Sequence, residues 1–310
     1  MKNQTTVTEF ILLGLSGDPQ LQIFLFSVFL IIYLITLGGN IVIMLMIRAD
    51  SHLHTPMYFF LFHLSFVDIC YSSVMVPNAL RNFLAERKTI SVNGSIAQMF
   101  FILLSGGAEI FILSAVAYDC YAAICDPLRY MERMSKGICA QLVSGAWTRS
   151  FFRALLNTVF TFKLHFCGPN HISHFSCELS PLLQLSCTDT LTNQVVLLTS
   201  VLIFGSRSFL LTLISYIHII STILRILSAE GRHKAFSTCI SNLIVVGLFY
   251  LTGFLQYTRS NSVSSLAVGE IFSIQYSVLT PVINPIIYSL ENKEVKTGLE
   301  QMLGKLKFLE

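Results

Sequence analysis

The stretch "IFLFSVFLIIYLITLGGNIVIMLMI", Ile23–Ile47, runs for 25 residues without a charge. At 1.5 Å per residue, a helix of that length exceeds the roughly 30 Å hydrocarbon thickness of a bilayer. Six further apolar blocks follow: Met57–Leu80, Ile96–Ile124, Ile138–Phe160, Gln194–Leu227, Phe236–Tyr257 and Ile271–Leu290. Only 12% of the 310 residues are charged and 54% are hydrophobic. A soluble domain carries roughly a quarter charged residues, so this chain has too few to solvate its surface. The pattern predicts an all-α membrane protein, a bundle of seven transmembrane helices. Strand-like alternation is missing from the blocks, which excludes a β-barrel. No internal repeat suggests a transporter built from two halves.

One domain is expected over 1–310, with residues 1–22 outside the cell, 23–290 forming the bundle and 291–310 in the cytosol. No signal peptide is read ahead of the first block. Orientation follows the positive charges of short loops. Arg48, Arg129, Arg133, Lys136, Arg225, Arg232, Lys234 and the lysines of the tail outweigh Lys2, Arg81, Arg87, Lys88, Lys163 and Arg259 on the other side. The richer set faces the cytosol and places the amino terminus outside, at the plasma membrane. The sequon Asn3-Gln4-Thr5 makes Asn3 a glycosylation candidate. The net charge of +3 reflects topology and implies no nucleic-acid partner. Beyond the seventh block, Val295, Leu299, Leu303 and Leu306 recur at near-helical spacing beside lysines. They predict a short amphipathic helix lying on membrane lipid.

Charge within a span costs about 2.5–3.5 kcal/mol and usually faces the bundle interior. Asp68 and Glu109 lie deep in the second and third blocks, with Asn40 in the first and Asn284 in the seventh. This set reads either as a cation site or as a hydrogen-bonded cluster joining helices. Arg149 and Arg153 stand four apart in the fourth block, and Arg207 interrupts the fifth. Snorkelling accommodates Arg153; poor insertion is the plainer reading of Arg149 and Arg207. In "TPVINPIIY", Pro281 and Pro285 predict a kink. In "AYDCYAAICDPLRY", Ala117–Tyr130, Asp119 has no adjacent cation and is expected to be partly solvated near the membrane surface.

These motifs resemble the olfactory (odorant) receptors of the rhodopsin-like G-protein-coupled receptors. The resemblance rests on Gly39-Asn40, "LHTPMYFFL" at Leu53–Leu61, "LSFVDIC" at Leu64–Cys70, Ala117–Tyr130 and Ser215-Tyr216. It continues with "KAFSTC" at Lys234–Cys239 and "PVINPIIYSLENKEVK" at Pro281–Lys296. It implies a pocket for a small, mostly apolar volatile odorant, lined by Ile102, Leu103, Gly106, Gly107, Ile110, Phe204, Gly253, Tyr257 and Ser277. The two glycines either open volume there or let helices approach. It also implies an activation switch of Asp119, Cys120, Tyr121, Tyr216, Tyr250, Asn284, Pro285 and Tyr288. The implied partner is a stimulatory G protein that raises cyclic AMP. Asp68 and Glu109 match the family's acidic pair, which is similar to a sodium site; no other cofactor is implied.

The chain departs from the family in two telling places. Cys120 stands where the family has the arginine of Asp-Arg-Tyr. Ser95 stands where it has the cysteine tethering the long loop to the third helix, which leaves Cys167–Cys187 as the implied disulfide and Cys177 without its partner. Ser95 also completes a second sequon at Asn93. Cys167, His171, His174 and Cys177 are metal-ligand types, but a disulfide-bearing loop is the stronger reading. No hydrolase, zinc-protease or phosphate-loop motif points to an enzyme. A receptor that couples weakly or reaches the surface poorly is the alternative function; a channel or transporter is a more distant one.

Overall fold

A computed structural model describes residues 7–12, 14, 18–167, 170–172, 177–226, 228–232, 236, 239, 243–248, 250–251, 274 and 278–291. Its helices are α1 (Pro19–Ala49), α2 (Pro56–Leu84), α3 (Val92–Cys125), α4 (Tyr130–Arg133), α5 (Lys136–Phe162), α6 (Leu179–Gln184), α7 (Leu191–Ser200), α8 (Ser206–Arg225) and α9 (Thr280–Glu291). A π turn, Val201–Gly205, joins α7 to α8 inside what the sequence presents as one block. Among the described residues, α1, α2, α3 and the combined span Leu191–Arg225 are long and apolar enough to cross a membrane. At 27 residues α5 has sufficient length, but Arg149 and Arg153 make it more polar. Asn3, Gly253, Tyr257, Ser277 and the expected tail helix lie outside the described residues, as does the side chain of Tyr288.

Local chemistry sets the helix starts. Asp18 accepts from the Gln20 amide at 3.1 Å, and Pro19 opens α1. A proline at that position loses nothing, because its amide would have no intrahelical partner. Pro56 opens α2 in the same way; Thr55 occupies the cap position but makes no side-chain cap bond.

Around α3 the other helices assemble: α2, α5 and α8 all pack against it, while α1 packs on α2 and α9. The outward faces carry Ile23, Phe24, Leu34, Phe152, Leu202 and Ile217 in exposed positions. An outside this apolar suits lipid rather than water. Gly107 is a contact point. A Cβ there would come within 2.9 Å of Ser150 Oγ on α5, so glycine permits the α3–α5 approach.

One end of the bundle carries a sheet for which the sequence offered no signal. Its strands are β1 (Glu9–Leu12), β2 (Thr89–Ser91) and β3 (His171–Ile172), in the order β2-β1-β3. β1 pairs antiparallel with β2, Phe10 opposite Ile90, and parallel with β3. Phe10 and Leu12 alternate inward and join Ile96, Met99, Phe166, Ile172 and Leu182 in a separate small core. The expected disulfide Cys167–Cys187 is present, with a Cα–Cα distance of 5.8 Å.

Cys177 is buried in this small core. Its amide donates to Gln98 Oε1 at 3.1 Å, and its thiol lies beside the Ser95 side chain. The loop thus meets α3 through a hydrogen bond where the family has a covalent bond. Burial pushes the Cys177 thiol up to about 11.

Ser95→Cys is expected to form a disulfide with Cys177, visible in non-reducing peptide maps, and to stabilise the protein by about 2–4 kcal/mol. The unmodified chain should lose stability as pH rises from about 9 to about 11, because the unfolded thiol gives up its proton first. Below pH 9 that contribution is fully present. Ser95→Cys should remove the slope; an unchanged pH profile together with a free Cys177 thiol in the variant would overturn the assignment.

Candidate functional site

Asp68 is 1% exposed and Asn40 fully buried. Asn284 Nδ2 donates to both Asp68 oxygens, at 3.0 and 3.2 Å, tying α9 to α2. Glu109 on α3 is buried and near enough for the two carboxyl charges to repel. Asn40 Nδ2 donates to the Thr36 carbonyl at 2.9 Å and to the Pro281 carbonyl at 3.1 Å. The second bond has a simple cause. Pro285 has no amide hydrogen, so the carbonyl four residues earlier loses its helical partner. Asn40 supplies the missing donor. Beside it, Gly39 faces the proline ring, and a Cβ there would touch Pro285 Cβ at an ordinary contact distance of 3.4 Å.

The amide oxygens of Asn40 and Asn284 are buried without a hydrogen-bond partner among the described residues. With the Asp68 and Glu109 carboxylates they form an all-oxygen donor set, which suits a hard cation such as sodium. The residues present therefore fit such an ion.

At the other end of α3, Asp119 is 2% exposed. This corrects the expectation of a partly solvated carboxylate. Tyr130 Oη, on α4, donates to Asp119 Oδ1 at 2.9 Å. Burial, with the Asp119 charge beside it, holds the Tyr130 hydroxyl above its ordinary range, so it stays a donor at neutral pH. The partner is neutral, which is why a search for an adjacent cation missed it. Arg133 pairs instead with Asp126 at 2.9 Å. Cys120 is buried and contacts the Cys239 thiol from the sixth block. Tyr216 is buried in the same core, and the Tyr121 ring lies between those of Tyr118 and His218.

The expected pocket residues separate on inspection. Ile102 packs with Phe29 and Met75, and Leu103 with the small core beneath the sheet. Gly106 is half-buried, while Gly107 turns to Ser150 and serves helix packing. Phe204 lies in the π turn and meets Phe111 edge-on at 6.2 Å. π turns inside helices are frequent at functional sites. Below them is a hydroxyl cluster. Tyr250 Oη donates to Ser208 Oγ at 3.1 Å, Thr212 Oγ1 donates to Ser114 Oγ at 3.2 Å, and Ser114 and Ser208 are bonded to each other. Ser208 also donates to the Ile110 carbonyl at 3.2 Å. The sequence reading found Tyr250 but not Ser114, Ser208 or Thr212. Small hydroxyls in apolar helices can bond their own backbone, so they give no warning of a cluster.

The sequence model of the olfactory receptor family matches residues 29–306. The chain belongs to the olfactory receptor family. It is 50% identical to human olfactory receptor 5G3 over 308 residues, 99% of this chain and 98% of that protein. Human olfactory receptor 5A1 is 50% identical over 305 residues, 98% and 97% of the two chains. Mouse olfactory receptor 5G9 is 46% identical over 309 residues, 99% and 98%. This olfactory receptor is accordingly an odorant-sensing G-protein-coupled receptor of the membrane, not an enzyme.

Proposed function

We propose that the chain forms a single seven-helix domain in the plasma membrane, with its amino terminus outside and an amphipathic tail helix on the inner leaflet. It binds a small, mostly apolar volatile odorant and activates a stimulatory G protein that raises cyclic AMP. The observation that carries this reading is the hydroxyl cluster of Ser114, Ser208, Thr212 and Tyr250, which joins the third, fifth and sixth spans at one buried point. A ligand above it, against Ile102, Leu103, Gly106, Ile110 and Phe204, and against Gly253, Tyr257 and Ser277, would shift the sixth span by rearranging those bonds. Such rearrangement biases a two-state equilibrium only through contacts that differ between the states. Gly107 contributes by holding α3 close to α5.

Weak coupling is a second reading, favoured by Cys120. The resting end of α3 keeps its hydrogen bond between Asp119 and Tyr130, so loss of the family's arginine does not release it. The active state, by contrast, lacks a charged donor toward Tyr216, Tyr288 and the G protein, worth about 1.5–3 kcal/mol for a charge-assisted bond. We also assign Asp68, Glu109, Asn40 and Asn284 to a sodium ion that stabilises the resting state.

A panel of volatile compounds, applied to cells with confirmed surface receptor, should yield odorant-evoked cyclic AMP. Cys120→Arg should raise that response about tenfold or more at matched surface expression. Equal responses would remove Cys120 as the handicap, and ion flux without G protein would overturn the receptor mechanism. Replacing choline by sodium should raise the melting temperature of the purified protein but not that of Asp68→Asn; equal shifts in both would contradict the cation assignment.

A further inference from the structure

Arg149 lies midway along α5, and Arg207 lies near the middle of the span Leu191–Arg225. Both are exposed on the outer face of the bundle. No aspartate or glutamate occurs anywhere in Lys136–Phe162 or Leu191–Arg225. Two guanidinium groups therefore sit at mid-bilayer depth with no acidic partner on their own spans, and such residues are rare and functional when they persist.

Helical geometry turns Arg207 toward the span that carries Arg149. Ser208 faces α3, where it bonds Ser114 and the Ile110 carbonyl. Phe209, 100° further round at 3.6 residues per turn, stacks edge-on with Tyr250 of the sixth span at 5.3 Å. Arg207 is displaced the same angle the other way and so faces the α5 side. Arg149 reaches from α5 over the Phe111 ring, 5.8 Å from its centroid, and Phe111 touches Phe204. α5 packs on α7 but parts from α8. The Phe111–Phe204 pair stands on the α3 side of that divergence, with Arg149 over the Phe111 ring. Arg153, one turn from Arg149, has its Nε buried without a hydrogen-bond partner among the described residues. Exposed Phe152, Leu156 and Leu210 line the approach from the bilayer.

We propose that α5 and α8 open a cleft over the Phe111–Phe204 pair, a second ligand site separate from the odorant pocket, for a membrane-resident long-chain carboxylate. Its head group lies between Arg149 and Arg207, and its chain follows the apolar lip. A planar guanidinium matches a carboxylate in geometry and charge. A phospholipid phosphate carries its charge permanently, whereas a carboxylic acid can reach apolar depth in its neutral form, since burial favours that form. A second copy of the chain offers no counter-charge, because Asp68, Glu109 and Asp119 are all buried inside it.

The test uses the full receptor in phosphatidylcholine nanodiscs with a diazirine-bearing palmitic acid. Label should map to peptides of α5 and α8. Excess palmitic acid should compete, while methyl palmitate and hexanoic acid should not. Arg149→Leu and Arg207→Leu, which remove charge from an apolar face, should each cut labelling about tenfold. If either variant fails to fold, the acid-against-ester comparison on the unmodified chain decides alone. Equal competition by the ester, unchanged labelling in folded variants, or equal competition by hexanoic acid would overturn the proposal. So would a cross-link from this face to an acidic membrane helix of another protein in place of lipid label.

Discussion

A proline without an amide hydrogen sets the arrangement of α1, α2 and α9. Pro285 strips the Pro281 carbonyl of its helical partner, and a bare carbonyl in a lipid-embedded bundle is costly. Asn40 meets that need from α1, 3.1 Å away. Gly39 lies against the proline ring on the same side. One residue before the proline, Asn284 reaches the other way to Asp68 on α2. A single proline-bearing segment thereby joins three helices through two asparagines, and it does so beside the buried carboxylates Asp68 and Glu109.

That placement links packing to signalling. A helix whose bonds are completed by a neighbour can change shape when the neighbour moves, since alternative donors and acceptors lie close by. The cation ligands proposed here are the same residues that join α9 to α1 and α2. At the opposite end of α3 the logic is similar but the chemistry differs. Asp119 is buried and satisfied by Tyr130, while Cys120 places a small thiol against Cys239 where the family has a long cation. The Tyr130–Asp119 bond is present without the arginine; a long cation at position 120 is not.

Much of this was legible in the sequence, and the reasons are physical. Uncharged runs such as Ile23–Ile47 can only be membrane helices or deeply buried ones, so the spans over α1, α2, α3 and Leu191–Arg225 were readable. Polar residues in apolar runs announced the Asp68, Glu109, Asn40 and Asn284 cluster because their burial needs a partner. The partners themselves were less visible. Tyr130 was hidden because a neutral donor replaces the cation that charge counting seeks. The strand at Glu9–Leu12 was hidden because four residues beyond a polar terminus carry no periodic signal of their own. Ser114, Ser208 and Thr212 look like ordinary small residues until α3 and α8 bring them together. Gly107 was ambiguous in sequence, since a glycine serves cavity and contact alike; the proximity of Ser150 decides for contact.

The most direct measurement is a double-mutant cycle between Asn40 and Pro285, read as unfolding free energy of the purified receptor in a fixed bilayer mimic. Asn40→Ala alone should cost about 1–3 kcal/mol, the penalty for an unsatisfied buried carbonyl. In the Pro285→Ala background the helix recovers its own amide donor, so the same substitution should cost less than half as much. An equal cost in both backgrounds would show that Asn40 does not serve the carbonyl freed by the proline, and the account of how these three spans are joined would fail.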